Sequence, residues 1–162
     1  MAKLKSFTII ELMMSLLISS IVISISYYAI VFFNIQFNHY KNKSATINSF
    51  LLFKKAMQND FDKSGFIIDS PGSDIMLFDV SKNKKISEYS FRQQYIVRNN
   101  ISGTDTFNLK NNVHEIEYVS DSLRIVKALH LIISLDSTDI EPVFIKSYTS
   151  QELIFAEKTN NE

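Results

Sequence analysis

The sequence of 162 residues contains no cysteine, only three glycines and only two prolines. The lack of cysteine excludes disulfide bonds, thiolate metal sites, a cysteine nucleophile and a lipid anchor attached to cysteine. With so few glycines, neither a glycine-rich phosphate loop nor a nucleophile elbow can be built. The sequence therefore lacks the signatures of several large classes of enzyme.

A surplus of positive charge is also missing, because 17 lysines and arginines face 17 aspartates and glutamates. Proteins that bind nucleic acid need such a surplus, so we predict no nucleic-acid partner. His39, His114 and His130 are scattered and lack the i,i+4 spacing of a metal site. No Ser–His–Asp arrangement can be singled out from the spacing. We predict neither an enzyme nor a cofactor.

The most prominent feature present is a run of residues 12–40 without Asp, Glu, Lys or Arg. A helix over residues 12–38 would extend roughly 40 Å, more than the roughly 30 Å hydrocarbon core of a bilayer. Five serines in this run could tighten contacts between membrane helices or bond to carbonyls of their own helix. We predict a transmembrane helix whose amino-terminal flank, with Lys3 and Lys5, lies in the cytoplasm.

Glu11 stands at the start of this apolar run, although a charged group costs roughly 2.5–3.5 kcal/mol at the centre of a membrane helix and less near its ends. A secretory signal peptide would need a cleavage site with small residues after its apolar core, and here bulky residues follow. A plain membrane anchor explains the length but not the carboxylate. If the chain is cut between Ser6 and Phe7, Glu11 could neutralise the new amino group of a neighbouring chain. This contact would fix the position of one subunit relative to the other.

The segment KLKSFTIIELMMSLLISSIVISI resembles the class III leader and transmembrane helix of type IV pilins and type II secretion pseudopilins. The resemblance implies that a prepilin peptidase cuts between Ser6 and Phe7 and methylates the Phe7 amino group. It also implies that Thr8 and Glu11 serve assembly, with Glu11 docking each subunit on the one above. Ser6 departs from the glycine that is usual before the cut. The order of the later elements resembles minor pseudopilins of the J type.

An amphipathic helix is predicted after the apolar run. Its apolar residues recur three and four positions apart, at Phe50, Phe53, Met57 and Phe61. The charged residues that lie mostly off this face are Lys54, Lys55, Asp60 and Lys63. The favoured interpretation is a helix face packed on a domain core, and a second membrane-binding helix is the alternative. Gly65 is predicted to cap the helix, followed by an extended segment at 66–68.

The segment DFDKSGFI at 60–67 imitates the opening of a calcium loop. Its residues at the first, third, fifth and sixth loop positions are Asp60, Asp62, Ser64 and Gly65. The twelfth position, where a bidentate acid is needed, is Pro71. We therefore prefer a solvated helix end to a calcium site.

After Ser70 the apolar residues recur with the alternating period that is typical of strands. The predicted strands are 75–80, 86–100, 106–110, 113–119 (a strand or a short helix), 123–135, 142–148 and 152–155. The apolar face of 86–100 carries Tyr89, Phe91, Tyr95 and Val97. SGTD at 102–105 is predicted to be a hairpin turn. In 123–135 the apolar residues occupy odd positions, with His130 on the exposed side.

These elements predict an α+β fold, with one long amino-terminal helix packed on a mainly antiparallel sheet. The predicted segments are a leader at 1–6, a transmembrane helix at 7–38, its amphipathic continuation at 39–65 and a β-rich periplasmic or extracellular domain at 66–162. The predicted location is the inner membrane, crossed once, with the amino terminus in the cytoplasm.

The predicted function is structural: a minor pseudopilin that initiates or caps a periplasmic filament of a type II secretion-like system. The near alternative is a minor pilin of a type IV pilus or a DNA-uptake system. The more distant alternative is a single-pass anchor that carries a ligand-binding or chaperone domain. The implied partners are other pseudopilins or pilins, the prepilin peptidase, an inner-membrane assembly platform and membrane lipid.

Overall fold

A computed structural model describes residues 8–70, 74–79, 84–120, 122–136 and 138–159. A long helix, α1 (Ile9–Lys63), comes first, and a short helix, α2 (Ser150–Thr159), comes last. Between them lie β1 (Phe66–Ser70), β2 (Asp74–Asp79), β3 (Lys84–Arg92), β4 (Tyr95–Asn100), β5 (Gly103–Phe107), β6 (Lys110–Ser120), β7 (Ile125–Leu135), β8 (Thr138–Ile140) and β9 (Val143–Ile145). The chain divides into two compact units, Met1–Asn42 and Lys43–Glu162.

In the first unit, every described residue from Ile9 onward belongs to α1 and is exposed. Nothing in its sequence breaks a helix, since glycine and proline are absent there. By length and composition this helix could cross a membrane, with a mean hydropathy of 2.2 over its most apolar stretch. The hydroxyls of Ser19, Ser24 and Ser26 each donate to the carbonyl four residues earlier, at 2.8 Å. These three serines therefore bond within their own helix.

In the second unit, α1 packs on the sheet through the predicted face. Phe53, Met57 and Phe61 are fully buried, and Phe50 is half-buried. The prediction for Asp60 is wrong, because its exposed fraction is only 2 %. Asp60 follows Phe53 by seven residues and so lies on the buried side of the helix. The interpretation of this segment as a solvated helix end is wrong for the same reason.

The end of α1 also differs from the prediction. The Ser64 amide donates to the Asp60 carbonyl at 2.9 Å and closes the last turn. The Gly65 amide instead donates to the Phe78 carbonyl at 2.7 Å and so enters the sheet. Gly65 does not adopt the left-handed conformation of a glycine cap. The extended segment predicted after it is confirmed as β1, while Pro71 lies outside the described residues.

Antiparallel pairing connects the strands in the order β5-β4-β3-β2-β1-β7-β6, and β8 and β9 also pair with β7. All pairings in the described chain are antiparallel, which confirms the predicted sheet. A single residue pair, Ile68 with Ile125, links β1 to β7. Because β6 occupies one edge of β7, the strands β9 and β8 line the other edge beyond that pair.

The segment predicted as one strand at 86–100 is two strands. A two-residue turn at Gln93 and Gln94 joins β3 to β4, with Arg92 opposite Tyr95. The reversal changes which side chains face the core, so that Ile96 is fully buried while 41 % of Tyr95 is exposed. The turn contains no Gly, Asn, Asp or Pro, so the usual sequence signals of a hairpin were absent.

The hairpin predicted at 102–105 exists, but its turn comes earlier in the chain. Ile101 and Ser102 form the turn, and Gly103 already begins β5 with a φ of 147°. The side-chain oxygen of Asn100 accepts hydrogen bonds from the amides of Ser102 and Gly103, at 2.7 and 3.0 Å. This Asx arrangement fixes the turn.

The structure also assigns the secondary structure of segments 113–119 and 152–155. The segment 113–119, left open between strand and helix, is part of β6. The strand predicted at 152–155 is wrong, since these residues belong to α2. Thr149 and Glu152 exchange side-chain hydrogen bonds at the start of α2, and this capping box begins a helix.

Strand β7 departs from the alternation predicted for 123–135. Val126 lies opposite Tyr118 and Ala128 lies opposite Glu117, so Lys127 is an extra residue with no backbone position opposite it on β6. Such a bulge shifts the side-chain phase of a strand by one residue. In the larger core, the residues of β7 therefore change from an even position, Val126, to odd positions from Leu129 onward.

The two faces of the sheet carry separate apolar cores. The larger core includes Phe53, Met57, Phe61, Tyr89, Phe107, Val126, Leu129 and Phe144. The smaller core consists of Phe66, Ile125 and Ala156, with Phe78, Leu123, Tyr148 and Leu153 packed against it. The adjacent residues Ile125 and Val126 thus belong to different cores. The first core is covered by α1 and the second by α2.

Candidate assembly site

The predicted assembly residues Thr8 and Glu11 lie together at the start of α1. The backbone amide of Thr8 donates to Glu11 Oε2 at 2.9 Å, and the Thr8 hydroxyl donates to the same oxygen at 3.0 Å. In return, the Glu11 amide donates to Thr8 Oγ1 at 3.3 Å. The Leu12 amide closes the first turn on the Thr8 carbonyl at 3.2 Å. This arrangement is a capping box.

The same box occurs at the start of α2, where Thr149 and Glu152 repeat the three contacts at 2.7, 2.9 and 3.3 Å. The first amides of any helix lack partners within it, and a capping box satisfies two of them. Glu11 therefore has a role inside its own chain, which offsets part of the cost of a carboxylate there. The spacing T-x-x-E, present at both sites, is the sequence signal of this role.

One oxygen of Glu11 remains available. Both hydrogen bonds from Thr8 end on Oε2, and no described residue donates to Oε1. The side chain is fully exposed, at the end of a helix where the dipole favours negative charge. Ser6 and Phe7 lie outside the described residues. Within the described chain, Glu11 is thus a fixed carboxylate with one free oxygen, suited to receive a cation.

A second charged cluster lies where α1 meets the sheet, and sequence reasoning missed it. Arg98 of β4 donates from Nε to Asp60 Oδ2 and from Nη2 to Asp60 Oδ1, both at 2.8 Å. The Tyr89 hydroxyl donates to Asp60 Oδ2 at 2.8 Å. Arg98 Nη1 also donates to Asp105 of β5 at 2.8 Å. One arginine therefore ties the last turn of α1 to two strands.

The charges of this cluster stabilise one another. Burial raises the pKa of Asp60, but the hydrogen bonds from Arg98 and Tyr89 outweigh it, so that pKa lies below its ordinary value. The hydrogen bond to Asp60 raises the pKa of Arg98. Burial and the nearby Asp60 carboxylate raise the pKa of Tyr89 and keep its hydroxyl protonated. The cluster is a largely buried ion pair between α1 and the sheet.

A third cluster centres on Asp69 of β1, which is buried. The Tyr118 hydroxyl donates to Asp69 Oδ2 at 2.6 Å, and the Arg124 guanidinium pairs with the same oxygen. The Asp69 amide also donates to the Arg124 carbonyl at 3.1 Å. These contacts hold Arg124 in the left-handed region, with a φ of 51°. Burial, aided by the hydrogen bond to Asp69, raises the pKa of Tyr118.

The histidines do not form a metal site in the described part of the chain, where no three of His, Asp or Glu cluster suitably. His39 is exposed on α1. His130, predicted on the exposed side of its strand, is half-buried, and its Nε2 lies 3.4 Å from Glu117 Oε1. Lys127 donates to Glu117 at 3.0 Å, and this hydrogen bond is the main cause that lowers the pKa of Glu117.

Comparison with known proteins gives a match at one end of the chain. Residues 1–27 match the family model of the prokaryotic N-terminal methylation motif. No curated protein and no solved structure matches the chain. The matched segment contains Ser6, Phe7, Thr8 and Glu11, whereas the sheet domain lies entirely outside it. The chain therefore carries the methylation motif at its amino terminus, which confirms its resemblance to type IV pilin-like proteins.

Proposed function

We propose that this chain is a minor pseudopilin that initiates or caps a periplasmic filament of a type II secretion-like system. One observation carries the proposal: Glu11 is the single acidic residue among the first 59, and it lies within the methylation motif. Its carboxylate is fixed by Thr8 and keeps one oxygen free of described donors. A cation brought by a neighbouring subunit is the simplest occupant of that oxygen.

The proposed order of events begins with processing. A prepilin peptidase cuts between Ser6 and Phe7 and methylates the Phe7 amino group, which keeps its positive charge. The mature helix at 7–38 then stays in the inner membrane, with its amino terminus on the cytoplasmic side. There the Phe7 amino group of one subunit meets Glu11 of its neighbour. Because both charges lie at the same depth, each compensates the cost of the other.

The remaining segments serve the filament surface in this proposal. The continuation of the helix at 39–65 carries the β-rich domain at 66–162 into the periplasm. Its partners are other pseudopilins, an inner-membrane assembly platform and membrane lipid. The chain acts by packing, and nothing in the proposed role requires catalysis.

Processing provides the first test. Intact mass spectrometry of the membrane-extracted protein should show loss of residues 1–6 and gain of one methyl group. In matched cells with an inactive prepilin peptidase the full leader should remain. The Ser6→Gly variant should be processed equally well or faster, because glycine is the residue usual before the cut. A retained leader in cells with an active peptidase would contradict the proposal and favour an ordinary membrane anchor.

Deletion of the gene provides the second test, because it separates secretion from the near alternative. Loss of protein secretion with intact pili and DNA uptake is expected for a pseudopilin. Loss of pili or of DNA uptake with intact secretion would instead assign the chain to a type IV pilus or an uptake machine.

A further inference from the structure

A cleft of about 660 Å³ opens in the second unit, beside the turn between β7 and β8. Thr46 of α1, Asn108 and Lys110 line it, together with Asp136, which follows β7, and Asp139 of β8. This volume lies within the range of sites that bind ligands or partner side chains. The proposed role of Glu11 does not use the cleft.

An apolar pocket of about 190 Å³ adjoins the cleft and shares Thr46 and Asp136 with it. Its apolar lining comes from Ile47 of α1 and Leu135 of β7. The pocket is large enough for one side chain of the size of leucine. A partner that fits both spaces must therefore present an apolar side chain next to a polar or charged one.

The charges around the two spaces have both signs. No ion pair within the described chain involves Asp136 or Asp139. Lys43 lines the apolar pocket and Lys110 lines the cleft. The acidic residues of the lining thus come from the position after β7 and from β8, and each of the two spaces also has one lysine in its lining.

The outer face of α1 in the second unit has the matching features. Leu51 and Leu52 are 56 % and 62 % exposed, although they lie beyond the uncharged run. Lys54 and Lys55 come next after the buried Phe53, and both are exposed without ion pairs to described residues. Asp62 lies two turns beyond Lys55 on the same side, so this face also carries both signs. Exposed apolar side chains bordered by charges mark surfaces that bind proteins.

We propose that the cleft and its apolar pocket receive this α1 face from a second copy of the chain. Leu51 of one copy fills the pocket between Ile47 and Leu135 of the other, while Lys55 approaches Asp139. The two surfaces differ, so one copy offers its α1 face and the other accepts it, a heterologous contact that two copies at the start of a filament can make. The inference rests on the proposed role as an assembling subunit and names a contact between the domains.

The natural lack of cysteine makes this contact directly testable. Two differently tagged full-length copies are expressed together, one with Leu51→Cys and the other with Thr138→Cys, a residue that lines the pocket. Oxidation should give a mixed dimer that carries both tags. The control pairs Leu51→Cys with Ile101→Cys, which is 73 % exposed at the β4–β5 turn and should crosslink severalfold less.

Charge reversal tests the polar half of the contact. Lys55→Glu in the first copy or Asp139→Lys in the second should reduce the mixed dimer severalfold, because like charges then meet. Both changes together should restore it. Glu115→Lys, an exposed reversal on β6 outside the cleft, should leave crosslinking unchanged. Crosslinking equal to the Ile101 control, or no recovery in the double reversal, would overturn the inference.

A parallel pair of cysteines in the apolar helix, at Ile18 of both copies, separates this inference from the proposed function. Membrane-helix crosslinks without the 51–138 crosslink would refute the docking contact and leave the assembly role standing. The 51–138 crosslink without membrane-helix crosslinks would support the docking contact and contradict the role given to the helix. If neither forms, both are wrong.

Discussion

The hydroxyl of Tyr89, on strand β3, donates to Oδ2 of Asp60 in the last turn of α1 at 2.8 Å. The same carboxylate receives two bonds from Arg98, so three donors from two strands fix one helical side chain. A buried carboxylate is tolerated only when its bonds are satisfied. The helix can therefore pack on the sheet in one position, because sliding α1 by one turn would leave the Asp60 carboxylate buried without its partners.

Arg98→Ala should destabilise the second unit by about 3–5 kcal/mol, because it leaves Asp60 buried and unpaired. Urea unfolding, followed by near-ultraviolet circular dichroism of the tyrosines, measures the change. The matched control is Asp105→Asn, which removes the exposed partner of the same arginine and should cost about 1 kcal/mol or less. If the two variants were equally stable, the Asp60 pair would not be the main contribution of Arg98.

The pKa of Asp60, lowered in the fold, predicts loss of stability in acid. The unfolded chain takes up the proton first, since an aspartate there titrates near pH 3.9. The contribution of Asp60 is therefore fully present above about pH 5 and declines as pH falls through its lowered pKa. Unfolding free energies between pH 6 and pH 3 should fall less steeply for Asp60→Asn than for the parent. Parallel curves would contradict this assignment.

Phe53→Ala should destabilise the fold by about 3–5 kcal/mol, because it opens a cavity in the larger core. The Phe53 ring packs edge-on against Tyr89, Phe107 and Phe144, with centroids 5.7–6.4 Å apart. The neighbouring Leu52→Ala serves as the control, since its side chain is mostly exposed and its removal should change stability by less than about 0.5 kcal/mol. Denaturant midpoints of the two variants give the comparison.

Two substitutions of Glu11 separate its helix-capping role from its charge. Gln keeps the acceptor of the capping box but loses the negative charge, whereas Ala loses both. If assembly needs the charge, both variants should insert, be cleaved and fail to crosslink through cysteines in the apolar helix. Glu152→Gln, in the equivalent box of α2, should leave assembly unchanged. Normal crosslinking of Glu11→Gln would show that capping alone explains the residue.

Residues 43–162 should fold without the amino-terminal helix. This unit contains both apolar cores and the nine strands that the structure describes. We expect the fragment to be soluble, to unfold cooperatively and to give a circular dichroism spectrum dominated by β-structure. The full chain in detergent is the control, and its sheet signal should unfold at the same urea concentration. An aggregated or unstructured fragment would contradict this division of the chain.

The sequence predicted the features that depend on local pattern. The stripe of Phe53, Met57 and Phe61 follows from helical spacing alone. The T-x-x-E motif that begins both helices is also a local signal, but the predictions did not use it. The turn at Gln93 and Gln94 could not be predicted, because its residues lack turn preferences and the long-range pairing of β3 with β4 imposes it. The burial of Asp60 depends likewise on a partner 38 residues away.

The bulge at Lys127 gives one exposed residue an importance that its side chain does not reveal. Substitution there should be tolerated, since the lysine packs against nothing in either core. Deletion is another matter, because Ile125 and Val126 would then exchange faces, each turning toward the core built for the other. A residue at this position determines which side chains of β7 face each core, so the presence of a residue matters there and its type does not.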